Sequence, residues 1–344
     1  MVRSVVGGLC SPLRSVAYFF RLFIVAKDIT LNRFWKTFKI CGSVPRQFLH
    51  AVESRKARKN VRTQISAAIQ KGLNIKEVVN GIVGDKVTPH RAFVVYPSDK
   101  DRILDGCFVK AISEGAIKTI IRALDERSAD AAFDLYESTR GSSIAAPLRG
   151  NLFEHKVHRY LPRDARSFIL RSLDGAPAGQ LDLPKGMVYS VFGPPQVLSG
   201  KIADCADARQ IGYFQPISDN FASLDAIIHQ PDGPLIGIQV TNTATHPINT
   251  KGLKALQSLL SETNDTLSPL RPTPEDPWII LYVVPTPMEA SFTKQKIKGD
   301  ASATWSTKTA QYVLGLDEHE VFRAHLSDEE ESDSDEEESE NERQ

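Results

Sequence analysis

Glu154, Asp225 and Gln239 are oxygen-bearing side chains that the sequence can bring together around one hard cation. Oxygen ligands of this kind suit a divalent ion that polarises a phosphate and lowers the pKa of a bound water, the chemistry of phosphodiester hydrolysis. The segment FASLDAIIHQPDGPLIGIQVTNT predicts a β-hairpin turning at Gln230 to Pro234. Side chains alternate across a strand, so Phe221, Ser223, Asp225 and Ile227 share one face. On the second strand, Ile236, Ile238 and Val240 point one way, and Gln239 and Thr241 the other. With the hairpin centred on Asp232, opposed residue numbers sum to 464, which sets Asp225 opposite Gln239. Cross-strand neighbours lie roughly 5 Å apart at Cβ. A bulge of one residue would spoil that match.

The helical segment GNLFEHKVHRYL supplies the third oxygen. Phe153, Val157 and Leu161 are spaced to face a core, which leaves Glu154 and His158 as i, i+4 neighbours on the adjoining face. Each residue also has a plain alternative: Glu154 as a solvated helix acid, Asp225 as an acceptor at a strand edge, Gln239 as an amide capping the ladder. Further along, His246 in the HP loop could contact phosphate or be an ordinary loop histidine. Lys251 and Lys254, three apart on the next helix, suit phosphates or a solvated face equally.

The elements that must position these residues follow from a change of period near Gly150. After that helix come SFILRSL, MVYSVF, the hairpin strands, the helical NTKGLKALQSLLSE and the apolar run WIILYVV. The order helix, strands, helix, strand predicts an α/β sandwich around a mixed sheet, spanning residues 150–326. Before it, residues 61–149 predict a small helical domain, from VRTQISAAIQKGLNI, CFVKAISEGAIKTIIRALDE and SADAAFDLYEST.

The 344 residues carry no net charge, with 42 basic and 42 acidic side chains, but the charges are segregated. Residues 327–344 hold eleven acids and one arginine, net −10, so the remaining 326 residues stand at +10. A basic body favours polyanionic partners, DNA or other nucleic acid. The tail has no aromatic or aliphatic side chain and predicts disorder. It could solvate the protein, meet a basic or nuclear protein partner, or be phosphorylated at Ser327, Ser332, Ser334 and Ser339. The four cysteines lack metal-ligand spacing, which points to a reducing compartment, nuclear or cytoplasmic. The apolar run Ser15 to Ala26 is too short to span a bilayer and is interrupted by Arg21, so no membrane role is expected.

With these residues in place, GNLFEHKVH and SLDAIIHQPDGPLIGIQVTNTATHPINTKGLKAL resemble the C-terminal nuclease-like region of fungal Crinkler and retrotransposon-hot-spot proteins. That region is a branch of the PD-(D/E)xK superfamily, with a restriction-endonuclease-like core, and the resemblance covers roughly residues 60–285. It implies Mg²⁺ as cofactor, an effector or mobile-element association, and a catalytic set of Glu154, Asp225, Gln239 at the second acidic position and Thr241 at the lysine position. Two departures follow. Gln239 offers a carbonyl but no charge, and Thr241 cannot replace the ammonium that steadies the developing phosphorane charge. Lys251 or Lys254 would have to reach in from the following helix. Residues 1–60, with CGSVPR at Cys41 to Arg46, resemble the end of the ATPase module that precedes this region, yet no GxxxxGK[ST] occurs and no nucleotide is expected. Two functions stay open: a Mg²⁺-dependent endonuclease, or a non-catalytic nucleic-acid-binding or nuclear interaction protein.

Overall fold

The computed structural model describes residues 33, 37–38, 40–41, 45–70, 93–97, 107–125, 130–142, 145–192, 195–216, 223–262 and 265–324. Helices α1 (Pro45–Val52) and α2 (Arg55–Gln70) open this part, followed by strands β1 (Phe93–Pro97) and β2 (Cys107–Ala111). Then come helices α3 (Glu114–Asp125), α4 (Ala131–Ser138) and α5 (Ala146–Tyr160). The main sheet is built from β3 (Arg166–Ser172), β4 (Gly179–Leu183), β5 (Val188–Phe192), β6 (Gly212–Pro216), β7 (Ala226–His229), β8 (Ile236–Val240), β10 (Trp278–Pro285) and β12 (Thr309–Leu316). Helices α6 (Pro195–Asp207), α7 (Thr250–Glu262), α8 (Thr286–Glu289), α9 (Ser302–Thr307) and α10 (Glu318–Arg323) complete it, with short strands β9 (Ile248–Asn249) and β11 (Ile297–Lys298) pairing outside the sheet.

The fold is α/β around an eight-stranded mixed sheet in the order β4-β3-β12-β10-β8-β7-β6-β5. Strands β6, β7 and β8 form an antiparallel meander, and α7 then carries the chain across to β10, which lies parallel to β8. Strand β8 is buried along its whole length, as a central strand covered on both faces must be. Its even-numbered residues Ile236, Ile238 and Val240 pack in one apolar cluster with Leu152, Phe153 and Val157 of α5. The opposite face packs Ile227, Ile280 and Tyr282 against Leu198 and Ile202 of α6 and Leu253, Leu256 and Leu260 of α7.

Gly237 belongs to that second face, and a Cβ there would fall 2.5 Å from Leu224 Cδ2. The missing side chain is what lets the segment before β7 lie against β8.

The segment expected to be a helical domain contains a hairpin as well, because β1 and β2 pair antiparallel from Phe93↔Ala111 to Pro97↔Cys107. FVVYP and CFVKA are short, aromatic and β-branched, and the helical period starts only after them. Ser113 marks the change: its Oγ accepts from the Ala116 N–H at 3.0 Å and caps α3. Residues from the two N-terminal segments join the same core as the sheet, since Ile40, Phe48, Val61, Ile65, Ile117 and Ile121 cluster with Leu152 and Phe153. The acidic tail, Ser15 to Ala26 and Phe221 lie outside the described residues.

Candidate functional site

Helix α5 holds its apolar face as its sequence requires, with Phe153, Val157 and Leu161 fully buried. Glu154 and His158 adjoin on the next face, Oε1 to Nε2 4.0 Å apart. His158 is itself buried, and its Nδ1 lies 2.6 Å from the Tyr213 hydroxyl of β6. Burial pushes the His158 pKa down to about 3, so the imidazole is neutral at physiological pH. Tyr213 is held well above the ordinary phenol range, first by burial and then by the negative fields of Tyr189, Asp225 and Glu154. Beside it, the Tyr189 hydroxyl donates to Gln215 Oε1 at 2.8 Å.

The hairpin register agrees with the arithmetic: Ala226 pairs with Ile238, Ile227 with Gly237 and Ile228 with Ile236. Asp225, just before β7, donates its N–H to the Ile238 carbonyl at 2.8 Å, while its Oδ2 accepts from the Val240 N–H at 2.7 Å. These two bonds bracket Gln239. The Asp225 carboxylate therefore sits where the ladder would otherwise continue and takes over one of its acceptor positions. Gln239 is 2 % exposed, and its Oε1 is buried with no hydrogen-bond partner among the described residues. By alternation from Gly237, the Gln239 and Thr241 side chains leave the sheet on the α6 and α7 side. Helix α5 and Glu154 cover the opposite face.

Thr241 is committed to its own turn. Its Oγ1 accepts from the Thr243 N–H at 3.1 Å and lies 3.0 Å from the Thr243 hydroxyl, closing the chain as it leaves β8. Lys251 and Lys254 are both exposed on the first turns of α7. Asn249 caps that helix, its Oδ1 accepting from the Lys251 N–H at 2.9 Å. Ser223, at a φ of 79°, ties the approach to Asp225 onto this cap: its Oγ accepts from the Asn249 N–H at 2.7 Å and donates to the Asn249 carbonyl at 3.1 Å. His246 is half-buried and fixed through its backbone, its N–H donating to Gln295 Oε1 at 2.7 Å. Burial lowers its pKa, which favours the neutral ring over a phosphate-binding cation.

The arrangement brings Asp225 and Gln239 together at one end of the meander, sets Glu154 on the α5 face beside His158, and leaves Thr241, His246, Lys251 and Lys254 in the surrounding loops and helix start. The Asp225 carboxylate and the Gln239 amide carbonyl have the hard-oxygen chemistry that Mg²⁺ takes, and Gln239 Oε1 is an acceptor without a donor among the described residues. Among the described residues no three His, Cys, Asp or Glu side chains form a group that could hold a metal. Sequence reasoning missed Tyr213, Tyr189, Gln215 and Ser223 as parts of this site. Tyr213 sits in GYFQP, whose first four residues are all buried and which carries no alternation to point to it.

Among the described residues no helix is long and apolar enough to cross a membrane. No family model, no curated protein and no solved structure matches this chain.

Proposed function

We propose that this chain is a nuclease-type protein of the PD-(D/E)xK kind that engages the phosphodiester backbone of DNA. Asp225 and the Gln239 carbonyl would hold Mg²⁺ at the end of the meander, with Glu154 across the sheet on the α5 face and outside that pair, and the ion would supply phosphate polarisation and a bound water of lowered pKa. The observation carrying this reading is the pair of bonds that brackets Gln239 with Asp225, on a strand meander followed by a crossover helix and a parallel strand. The order helix, strands, helix, strand expected from the sequence period is kept by α5, the strands through β8, α7 and β10, with α6 inserted between β5 and β6. The positive balance of the body supports a polyanionic partner.

In this site the chain's own residues orient more than they react. His158 and Tyr213 fix the wall beside Glu154 as neutral groups, so the carboxylates carry the negative charge there. Thr241 provides no cation, and its hydroxyl already serves the Thr241–Thr243 turn. Binding is therefore the stronger activity and cutting the weaker. That same turn favours a second reading, a non-catalytic interaction protein that keeps the core and binds nucleic acid without a metal.

The two readings separate in one experiment. Purified protein and its Asp225→Ala variant are incubated with supercoiled DNA, with Mg²⁺ or with EDTA, and both nicking and binding are measured. The metal-binding reading expects Mg²⁺ to tighten DNA binding in the wild type but not in Asp225→Ala, with slow nicking by the wild type alone. Binding that ignores both Mg²⁺ and the substitution, with no nicking, sinks it in favour of the second.

A further inference from the structure

Lys294, Lys296 and Lys298 are exposed at alternate positions, while Gln295 between the first two is buried and Ile297 half-buried. The alternation is enforced from below. The Gln295 N–H donates to Gln311 Oε1 at 2.8 Å and its carbonyl accepts from Gln311 Nε2 at 3.0 Å, an amide pair that fastens this segment to β12. The Gln295 side chain meanwhile grips the loop after β8, accepting from the His246 N–H at 2.7 Å and donating to the Ala244 carbonyl at 3.1 Å. The lysines that flank it are thereby turned outward from a rigid base.

The same segment runs beside the start of α7. Strand β11 pairs with β9 in parallel, Lys298 beside Asn249, and the Ile248 N–H donates to the Lys296 carbonyl at 3.0 Å. Gly299, at a φ of 112°, packs so closely that a Cβ would fall 2.4 Å from Thr250 Oγ1. Lys298 is thus adjacent to the residue that caps Lys251, and Asn249 is in turn tied to Ser223, two residues from Asp225. Lys294 is ion-paired with Asp174, whereas Lys251, Lys254, Lys296 and Lys298 pair with no carboxylate among the described residues. Asp300, two residues past Lys298, is an exposed acid on this surface.

We infer that Lys251, Lys254, Lys296 and Lys298 form one basic ridge that holds a nucleic-acid backbone by its phosphates beside the Ser223–Asp225 approach. The inference rests on the nucleic-acid reading above and gives it a surface. Charge complementarity decides the partner: four ammonium groups without a carboxylate partner among the described residues, on a fixed base, suit a chain of phosphates rather than an apolar or acidic-and-apolar protein face.

The test is the salt dependence of duplex DNA binding, followed by fluorescence anisotropy between 50 and 200 mM salt, a range over which phosphate contacts respond strongly. Lys296→Gln with Lys298→Gln is compared with the wild type and with Arg55→Gln, Lys56→Gln and Lys59→Gln together, which discharges the exposed basic face of α2. Two lost phosphate contacts should make the log–log slope shallower by about 1.8, while the α2 variant keeps the wild-type slope. An unchanged slope in the ridge variant, with the α2 variant flattened, overturns the ridge and leaves DNA binding standing. Absence of salt-dependent DNA binding in the wild type overturns both.

Discussion

His158 is a residue whose chemistry departs far from its ordinary state. Its pKa falls from 6.5 to about 3 on folding because the ring is buried, so the unfolded chain binds a proton over that interval and the folded chain does not. Stability is therefore full above pH 6.5 and is lost as pH falls towards 3, at about 1.4 kcal/mol per pH unit for one proton. Thermal melts of His158→Gln between pH 7 and pH 4 should show a flatter decline than the wild type. A residual slope is expected, because His229 and His246 are also lowered by burial. Parallel curves for the two proteins would remove His158 from the account. At this scale the sequence was informative where spacing alone decided the outcome. Glu154 and His158 fell together as an i, i+4 pair, and Asp225 fell beside Gln239. What it could not disclose was that His158 would be enclosed, or that Thr241 would close a turn through Thr243, since both depend on what arrives from elsewhere in the chain.

Elements were legible in proportion to how local their signal is. Helices α5 and α7 carry their own period, and the β7–β8 hairpin carries its own turn, so their places and register followed from the chain itself. Strand β7 begins only at Ala226, because Asp225 and Ser223 leave the ladder to bond with Ile238, Val240 and Asn249. Strands β6 and β12 went unseen: GYFQP and TAQYVLGL become strands through partners distant in sequence. The β1–β2 hairpin was absorbed into a helical reading because CFVKA abuts a strong helical period. The tight element in this region is the crossing of Leu224 over β8. Gly237→Ala places a methyl against Leu224 and should destabilise the fold by about 1–3 kcal/mol, as overpacking of a filled core does. Urea unfolding monitored by tryptophan fluorescence measures it, and a midpoint equal to the wild type's would show that Leu224 can move aside.

For the whole molecule, charge and connectivity set the behaviour. The tail at −10 competes with the phosphates of DNA for the body at +10, so deleting residues 327–344 should tighten DNA binding severalfold at low salt and much less at 200 mM. Equal affinity for both forms at low salt would show that the tail does not compete. Helix α10, the last among the described residues, is meanwhile part of the core. Glu318 accepts from the Tyr136 hydroxyl at 2.8 Å and pairs with Arg149 at 3.2 Å, and Lys156 Nζ donates to the Phe322 carbonyl at 3.2 Å.

The position of β12 has a bearing on how the chain is made. It lies between β10 and β3, and the β3–β4 hairpin meets the rest of the sheet through Tyr312↔Ser172 and Val313↔Arg171. A ribosome delivers that hairpin well before the strand that receives it, so the nascent chain carries a waiting edge while β5 to β10 are still being synthesised. Open edges recruit other strands. The biosynthetic window before Thr309 emerges is thus when this protein most needs a chaperone, and chains that stop short of β12 are the ones expected to aggregate.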